Sequence, residues 1–323
     1  LASKSGMIST PRKENKLRHR ISIVICTLNR EEVLCATLRR VTALVQCRDD
    51  AELIVVDQTQ KHSEATERCL EELADIMQLH RVVFASLTCA RNYGVRQACG
   101  EIILFLDDDV EPSPNLIDEH LVCYSDPGVW GVGGCTLLPG GRKLSRSGLS
   151  QRELVDLDSG RTNRFDLDWP RQTTWAPGCN MSFRREKLFA VGGFDEAFYG
   201  MAIGEEAELC HRVLGAGGKI RYAPDAQLVH LVNPSGGCRD ARAEGERIAQ
   251  LLDNGIYYHT RVGDSFCKTV MLMTRQCRVI IFNRASLCEG TWPVKLLACW
   301  RGVSRALRNY RRSACLGLLS EQT

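Results

Sequence analysis

The first half of the chain repeats one pattern: a short run of consecutive apolar residues, a break, then apolar residues spaced three and four apart. Ile21–Cys26, interrupted by Ser22, is the first run, and it breaks into Thr27, Leu28, Asn29 and Arg30. Val33, Leu34, Leu38, Val41 and Leu44 then mark one face of a helix over 31–45. Runs at 52–56, 81–85 and 102–106 predict further strands, with helices over 64–77 and 88–98. Apolar runs without polar alternation suit strands covered on both faces. Their alternation with helices, through crossovers of a dozen or more residues, predicts an α/β fold with a parallel, doubly wound sheet. Beyond Pro112 and Pro114 the pattern predicts a helix over 115–124 and a strand over 129–134. Residues 139–172 lack clear periodicity, and so long a loop in a compact domain is expected to be a lid or specificity insertion. A turn and strand over 175–183, a glycine turn at 192–195, a helix over 205–214 and strands at 219–222 and 227–231 follow. Gly215, Gly217 and Gly218 suit the helix end. From Cys238 the texture is helical, over 241–258, 264–282 and 293–312. Three regions result: a basic, disordered tail over 1–20, an α/β unit over 21–237 and a helical, basic amphipathic extension over 238–323.

The polar positions that interrupt this pattern carry the chemistry. The strand at 52–56 stops at Asp57, and the strand at 102–106 runs into Asp107, Asp108 and Asp109. In open α/β sheets, ligands bind beyond the carboxyl ends of the strands. Three adjacent acids repel one another unless a cation offsets them. A hard divalent cation bearing a phosphate group suits such acids; the alternative is acids crowding a solvated strand end. Two acid-ended strands at one edge favour a ligand. No Gly-x-Gly-x-x-Gly follows the first strand, which argues against a dinucleotide fold.

Composition narrows the class. With 44% hydrophobic and 25% charged residues the chain can bury a sizeable core, and a net charge of +3 is too small to imply nucleic acid. Its 16 cysteines include no Cys-x-x-Cys pair, so neither a zinc site nor a disulfide framework is readable, and a reducing, cytoplasmic setting is expected. No apolar stretch reaches the roughly 18 residues of a spanning helix, and no signal peptide is evident before the first strand. The last helix carries Leu296, Leu297, Trp300, Val303 and Leu307 on one side, with Lys295, Arg301, Arg305, Arg308, Arg311 and Arg312 on others. Such a helix either makes peripheral contact with an anionic membrane or packs its apolar face on the α/β unit.

Together the stretches 21–30, 54–59, 90–110, 178–184, 192–196, 204–212 and 222–230 resemble the family 2 glycosyltransferases, in the family's order. The resemblance implies a GT-A fold, with a mostly parallel, Rossmann-like central sheet flanked by helices. It also implies an inverting, nucleotide-sugar-dependent hexosyl transfer in glycan or polysaccharide assembly. Thr27 and Asp57 match positions at the nucleotide base, and Arg91 and Asn92 match positions on the donor side. Asp107 and Asp109 match the Asp-x-Asp motif, the first at the ribose and the second on Mg²⁺ or Mn²⁺; Asp108 lies between them on the donor side. His230 matches a histidine that binds the metal or diphosphate in some relatives. Gly178, Cys179 and Asn180 match a loop near the sugar and acceptor. Glu205 and Glu206 match a Glu-Asp pair whose second acid is the general base, here a glutamate. Gln58 replaces a frequent second acid and Leu28 a frequent aromatic, so the donor base stays open between UDP and dTDP. The acceptor is expected to be a glycan or a lipid-linked molecule. Asn233–Gly237 has the composition of a flexible gate. The rival readings are a nucleotidyltransferase, for which 27–32 lacks the glycine-rich loop, and a non-catalytic sugar-nucleotide binder.

Overall fold

A computed structural model of the chain describes residues 20–159, 162–237, 244–282 and 291–309. The expected disordered tail, apart from Arg20, lies outside the described residues, as do Arg311 and Arg312. Four parallel strands form the first half of the sheet in the order β3-β2-β1-β4: β1 (Ile21–Thr27), β2 (Ala51–Asp57), β3 (Gln78–Arg81) and β4 (Ile102–Leu106). Ile21 sits beside both Ala51 and Ile102, and Thr27 sits beside Asp57, so the strand ends share one edge. The crossovers run through α1 (Glu32–Val45), α2 (Glu64–Glu72) and α3 (Leu87–Gln97).

Side-chain alternation explains the apolar runs. Ile21, Ile23 and Ile25 pack with Leu34, Leu38 and Val41 of α1, while Val24 faces the other layer with Ala90 and Val95 of α3. Both faces of β1 are covered, so its run is apolar apart from Ser22, which donates to the Glu52 carboxylate at 2.6 Å. The run at 81–85 behaves differently. The strand there ends at Arg81, Val83 is fully exposed, and Val82 and Phe84 pack on the core from outside the sheet. Its apolarity marks an anchored connection rather than a strand.

After β4 the chain forms β5 (Val110–Pro112), α4 (Leu116–Val122), β6 (Val129–Leu137), α5 (Gln151–Asp158), β7 (Arg171–Thr173), β8 (Asn180–Arg184), α6 (Arg185–Ala190), α7 (Glu205–Gly215) and β9 (Lys219–His230). Here the expected parallel arrangement gives way to a mixed one. β8 is antiparallel to both β4 and β6, β5 and β7 are antiparallel to β9, and β6 and β9 are parallel. The two strands expected at 219–222 and 227–231 are one strand with a register shift: Ala223 pairs with Gly134 and Gln227 with Cys135. The aperiodic stretch 139–172 is largely folded. α5 opens with a capping box, Ser150 accepting from the Glu153 N–H while the Glu153 carboxylate accepts from the Ser150 N–H. Leu157 and Leu167 pack on Cys135, Leu137 and Tyr222, and the Tyr222 hydroxyl both accepts from the Leu167 N–H and donates to its carbonyl.

The extension forms α8 (Glu244–Arg261), α9 (Phe266–Ile281) and α10 (Trp292–Asn309), which share Ile248, Leu252, Met273, Ile281, Ala298 and Cys299 as an apolar centre. α8 is bound to the sheet unit through polar groups. Tyr199 donates to Asp253 at 2.6 Å, Asn254 donates to the Tyr199 carbonyl at 2.9 Å, and Tyr257 donates to Asp195 at 2.7 Å. In α10 the residues against α8 are small: Ala298, Cys299 and Ala306 are buried, and Gly302 lies on the Ala249 backbone. Of the expected apolar face, Leu296, Leu297 and Trp300 are exposed instead, Val303 is half-buried, and the Leu307 side chain lies outside what is described. Close backbone approach selects the small residues and turns the large ones outward. Among the described residues no helix is long and apolar enough to cross a membrane.

Candidate active site

The strand ends open onto a cleft of about 330 Å³ lined by Thr27, Arg30, Gln58, Arg91, Asp107–Asp109, Gly178, Cys179, Glu205, Glu206 and His230. The chain bends between β4 and β5 at Asp108 and Asp109, and the three aspartates separate. Asp108 turns inward, accepting from the Thr27 hydroxyl at 2.7 Å and pairing with Arg30 Nε at 3.3 Å. Burial pushes its carboxyl up to about 7, against the pull of Arg30 and Thr27. Asp108 and Thr27, both expected at the donor, therefore spend these polar atoms on each other.

Asp109 is buried and meets His230 Nε2 at 3.1 Å, Arg30 Nη2 at 3.4 Å and the Asn233 N–H at 2.9 Å. Burial works to raise its pKa, but the His230, Asn233 and Arg30 contacts outweigh it and hold the carboxylate below its ordinary range. Burial likewise opposes a charged His230 ring. Its hydrogen bond to Asp109, with Cys179 and Asp107 close by, outweighs burial and raises it to about 10. Asp107 is more open and lies 3.7 Å from both His230 Nε2 and Arg91 Nη2. One ligand atom each from Asp107, Asp109 and His230 falls within 4.8 Å of the others. Two carboxylates and an imidazole at that spacing suit a divalent cation such as Mg²⁺ or Mn²⁺.

Arg91, from the middle of α3, ties this group to the far wall. Its guanidinium is buried, pairs with Glu205 at 2.7 Å, donates to the Gly178 carbonyl at 3.1 Å and lies over the Phe194 ring. Glu205 and Glu206 open α7 behind Gly204, whose φ of +98° lies in the left-handed region that favours glycine. Burial and the neighbouring Glu206 charge push the Glu205 carboxyl well up, with Arg91 opposing. Glu206 lines the cleft, and its buried Oε2 meets no hydrogen-bond partner among the described residues. Glu208 pairs with Arg212 at 2.6 Å, as their spacing of four predicts.

Three expected site residues do not line the cleft. Asp57 is buried below it, accepting from the Thr59 N–H at 2.9 Å and meeting His62 Nε2 at 3.1 Å; Gln58 takes its place in the wall. Asn92 pins Phe194, donating to its carbonyl and accepting from its N–H, both at 2.8 Å. Asn180 donates to the carbonyls of Cys135 and Ala226 at 2.9 Å, closing the gap left by the β6–β9 register shift. For the two asparagines the reason is one: a buried amide has to be satisfied by the backbone around it.

Arg30 and His62 are additions to the expected set. Arg30 is 5% exposed, is held by the carbonyls of Asn233 and Ser235, and so straps 233–237 across the acids. Gly236 passes so close that a Cβ there would lie 2.1 Å from the Asn29 carbonyl oxygen. The sequence held a signal for Arg30, since an acidic triad needs a cation and one stands three residues past a neighbouring strand end. His62, whose two ring nitrogens face Asp57 and Glu31 at 3.1 Å, had none.

Residues 22–190 match the family described as Glycosyl transferase family 2. Over 227 residues the chain is 29% identical to the "Pre-mycofactocin glycosyltransferase" of Mycobacterium tuberculosis, covering 69% of this chain and 45% of that one. The chain thus spans about half the length of that curated relative. The fold superposes with a TM-score of 0.54 and 16% identity on a solved mannosyltransferase, PcManGT from Pyrobaculum calidifontis, in complex with GDP-Man and Mn²⁺; 90% of this chain and 88% of that one are covered. A structure of GalNAc-T7 with UDP, GalNAc and Mn²⁺ gives a TM-score of 0.58 at 16% identity, covering 94% of this chain and 59% of that one. At these identities the likeness is one of fold.

Proposed function

Because the chain belongs to glycosyl transferase family 2 and has the GT-A fold, we propose that it transfers a sugar from a nucleoside diphosphate-sugar to a hydroxyl acceptor, with inversion. The observation that carries this reading is the pairing of two carboxylate groups in one cleft. Asp107, Asp109 and His230 lie close enough together to hold a cation, and Glu206 brings to the same cleft a buried carboxylate oxygen with no hydrogen-bond partner among the described residues.

In this reading Glu206 accepts the proton of the acceptor hydroxyl as its oxygen attacks the anomeric carbon, opposite the departing diphosphate. Glu205 does not serve as the base, since it is engaged with Arg91. Arg91 keeps Glu205 and Gly178 in place and brings positive charge near Asp107. Asp107, Asp109 and His230 would hold Mg²⁺ or Mn²⁺. A bound ion supplies Lewis-acid stabilisation of charge on the leaving diphosphate. Arg30 and Asn233 keep Asp109 oriented for that role. UDP- and dTDP-sugars are the first donors to try, with GDP-sugars added because of the mannosyltransferase neighbour. A glycan or a lipid-linked molecule is the proposed acceptor.

The test has two parts. A thermal-shift screen of nucleotide sugars with Mn²⁺ identifies the donor, because a ligand bound only by the native state stabilises it by mass action. Glu206→Gln should then keep donor binding and lose transfer. Full transfer by that variant would remove Glu206 as the base.

A further inference from the structure

We propose that the outward faces of α9 and α10 form a docking surface for an anionic lipid bilayer. The inference does not depend on glycosyl transfer. α10 spends its small residues on α8, and its large apolar residues are left facing away. Trp292, Leu296 and Trp300 follow one another at every fourth position, with Leu297 beside them, and Trp300 is 67% exposed. α9 repeats the arrangement: Met271 and Val279 are 63% and 65% exposed, and Phe282 follows the helix at 59%. Isolated exposed apolar side chains are ordinary, but a stripe of them along a helix marks an interaction site.

Charge selects the occupant. Over 266–281 and 292–309 the two helices carry seven Lys and Arg residues and no Asp or Glu. Three of the seven are paired: Lys295 and Arg305 are turned toward α8 and meet Glu244 and Glu246 at 3.1 and 2.7 Å, and Lys268 meets Asp264 at 2.5 Å. Lys295 and Arg305 are cations of the expected basic face that the packing consumes. Arg275, Arg278 and Arg301 are exposed among the outward apolar groups. Tryptophan, leucine and phenylalanine interleaved with arginine, without one carboxylate, match the acyl boundary and anionic headgroups of a bilayer surface. Since no described helix is long and apolar enough to span, the chain would lie on the surface. α8 supports these helices and also grips residues 195–199, just ahead of Glu205 and Glu206. The docking surface and the cleft wall therefore share one support.

The experiment is co-sedimentation of the full chain with phosphatidylcholine vesicles, with and without phosphatidylglycerol, over a salt series. We expect binding only when phosphatidylglycerol is present, weakening as salt rises. Leu296→Ser with Trp300→Ser should lower that binding by about tenfold or more. Arg275→Glu with Arg278→Glu should remove the preference for anionic vesicles, by about tenfold or more at low salt. Unchanged circular-dichroism melting shows that both variants remain folded. No binding of the unaltered chain to anionic vesicles would overturn the proposal, as would full binding by both folded variants. A dimer in sedimentation velocity that Leu296→Ser with Trp300→Ser turns to monomer, without vesicle binding, would assign the face to a second copy and equally overturn it. Loss of transfer activity in the Glu206 variant leaves these outcomes untouched, so the two readings fail separately.

Discussion

At the β4 end of the cleft, three acids face Arg30 and His230, and Asp108 and Asp109 are enclosed by their partners. At the α7 end, two acids share one cation, Arg91, and that cation is also drawn toward Asp107. The contrast separates holding from reacting. The first group is hydrogen-bonded and ion-paired on several sides and strapped by 233–237, which suits acids that wait for a charged cargo. The second leaves one carboxylate oxygen buried and unmatched, which suits a group whose task is to take a proton.

The contrast breaks most visibly at Glu206. Glu206→Gln should lower the transfer rate by about 10²–10⁴-fold, with donor affinity in calorimetry unchanged. A fall in affinity instead of rate would move Glu206 into the holding group. Next comes the shared cation. Arg91→Met leaves Glu205 buried without its partner and should cost about 3–5 kcal/mol in urea unfolding; adding Glu205→Gln should recover part of the loss. A smaller effect serves as a control outside both groups. His120 is buried against Asn180 and Ser182, and burial lowers its pKa to about 4 from an ordinary 6.5. Between those values the unfolded chain binds a proton that the native chain does not, so this stability is present above 6.5 and is lost as the pH falls toward 4. Going from about pH 7 to about pH 5 should cost the native chain roughly 2 kcal/mol more than it costs His120→Gln. The smallest effect sharpens the holding end: His230→Gln should weaken Mn²⁺ binding in calorimetry by roughly tenfold or more, at least the loss an outer-shell partner causes.

The sequence was most legible where one physical rule acted alone. β1, β2 and β4 are covered on both faces, so their runs were mostly apolar and their acidic ends stood out. Asp107, Asp109, Arg91, Glu205, Glu206 and His230, which lie in different elements, do meet in one cleft. Legibility failed where a residue served two masters. Asn92 and Asn180 match a family pattern, yet their amides satisfy distant backbone, a demand set by the Phe194 turn and the β6–β9 register shift. The mixed pairing of β5 to β9 left no trace in periodicity, because strand direction does not alter which residues alternate. α5 hid within a stretch too short to show a repeat, although Ser150 and Glu153 carried its capping signal.

The grip of α8 on residues 195–199 sets where this chain can be divided. The family match covers residues 22–190, short of Glu205 and Glu206. A recombination joint placed between 237 and 244 would strand buried Asp195 without Tyr257 and the Tyr199 carbonyl without Asn254. A joint after Arg261 would leave those pairings whole. A split that keeps the α/β unit whole therefore has to carry α8 with it, and the cost of one after Arg261 falls instead on the apolar centre that α8 shares with α9 and α10.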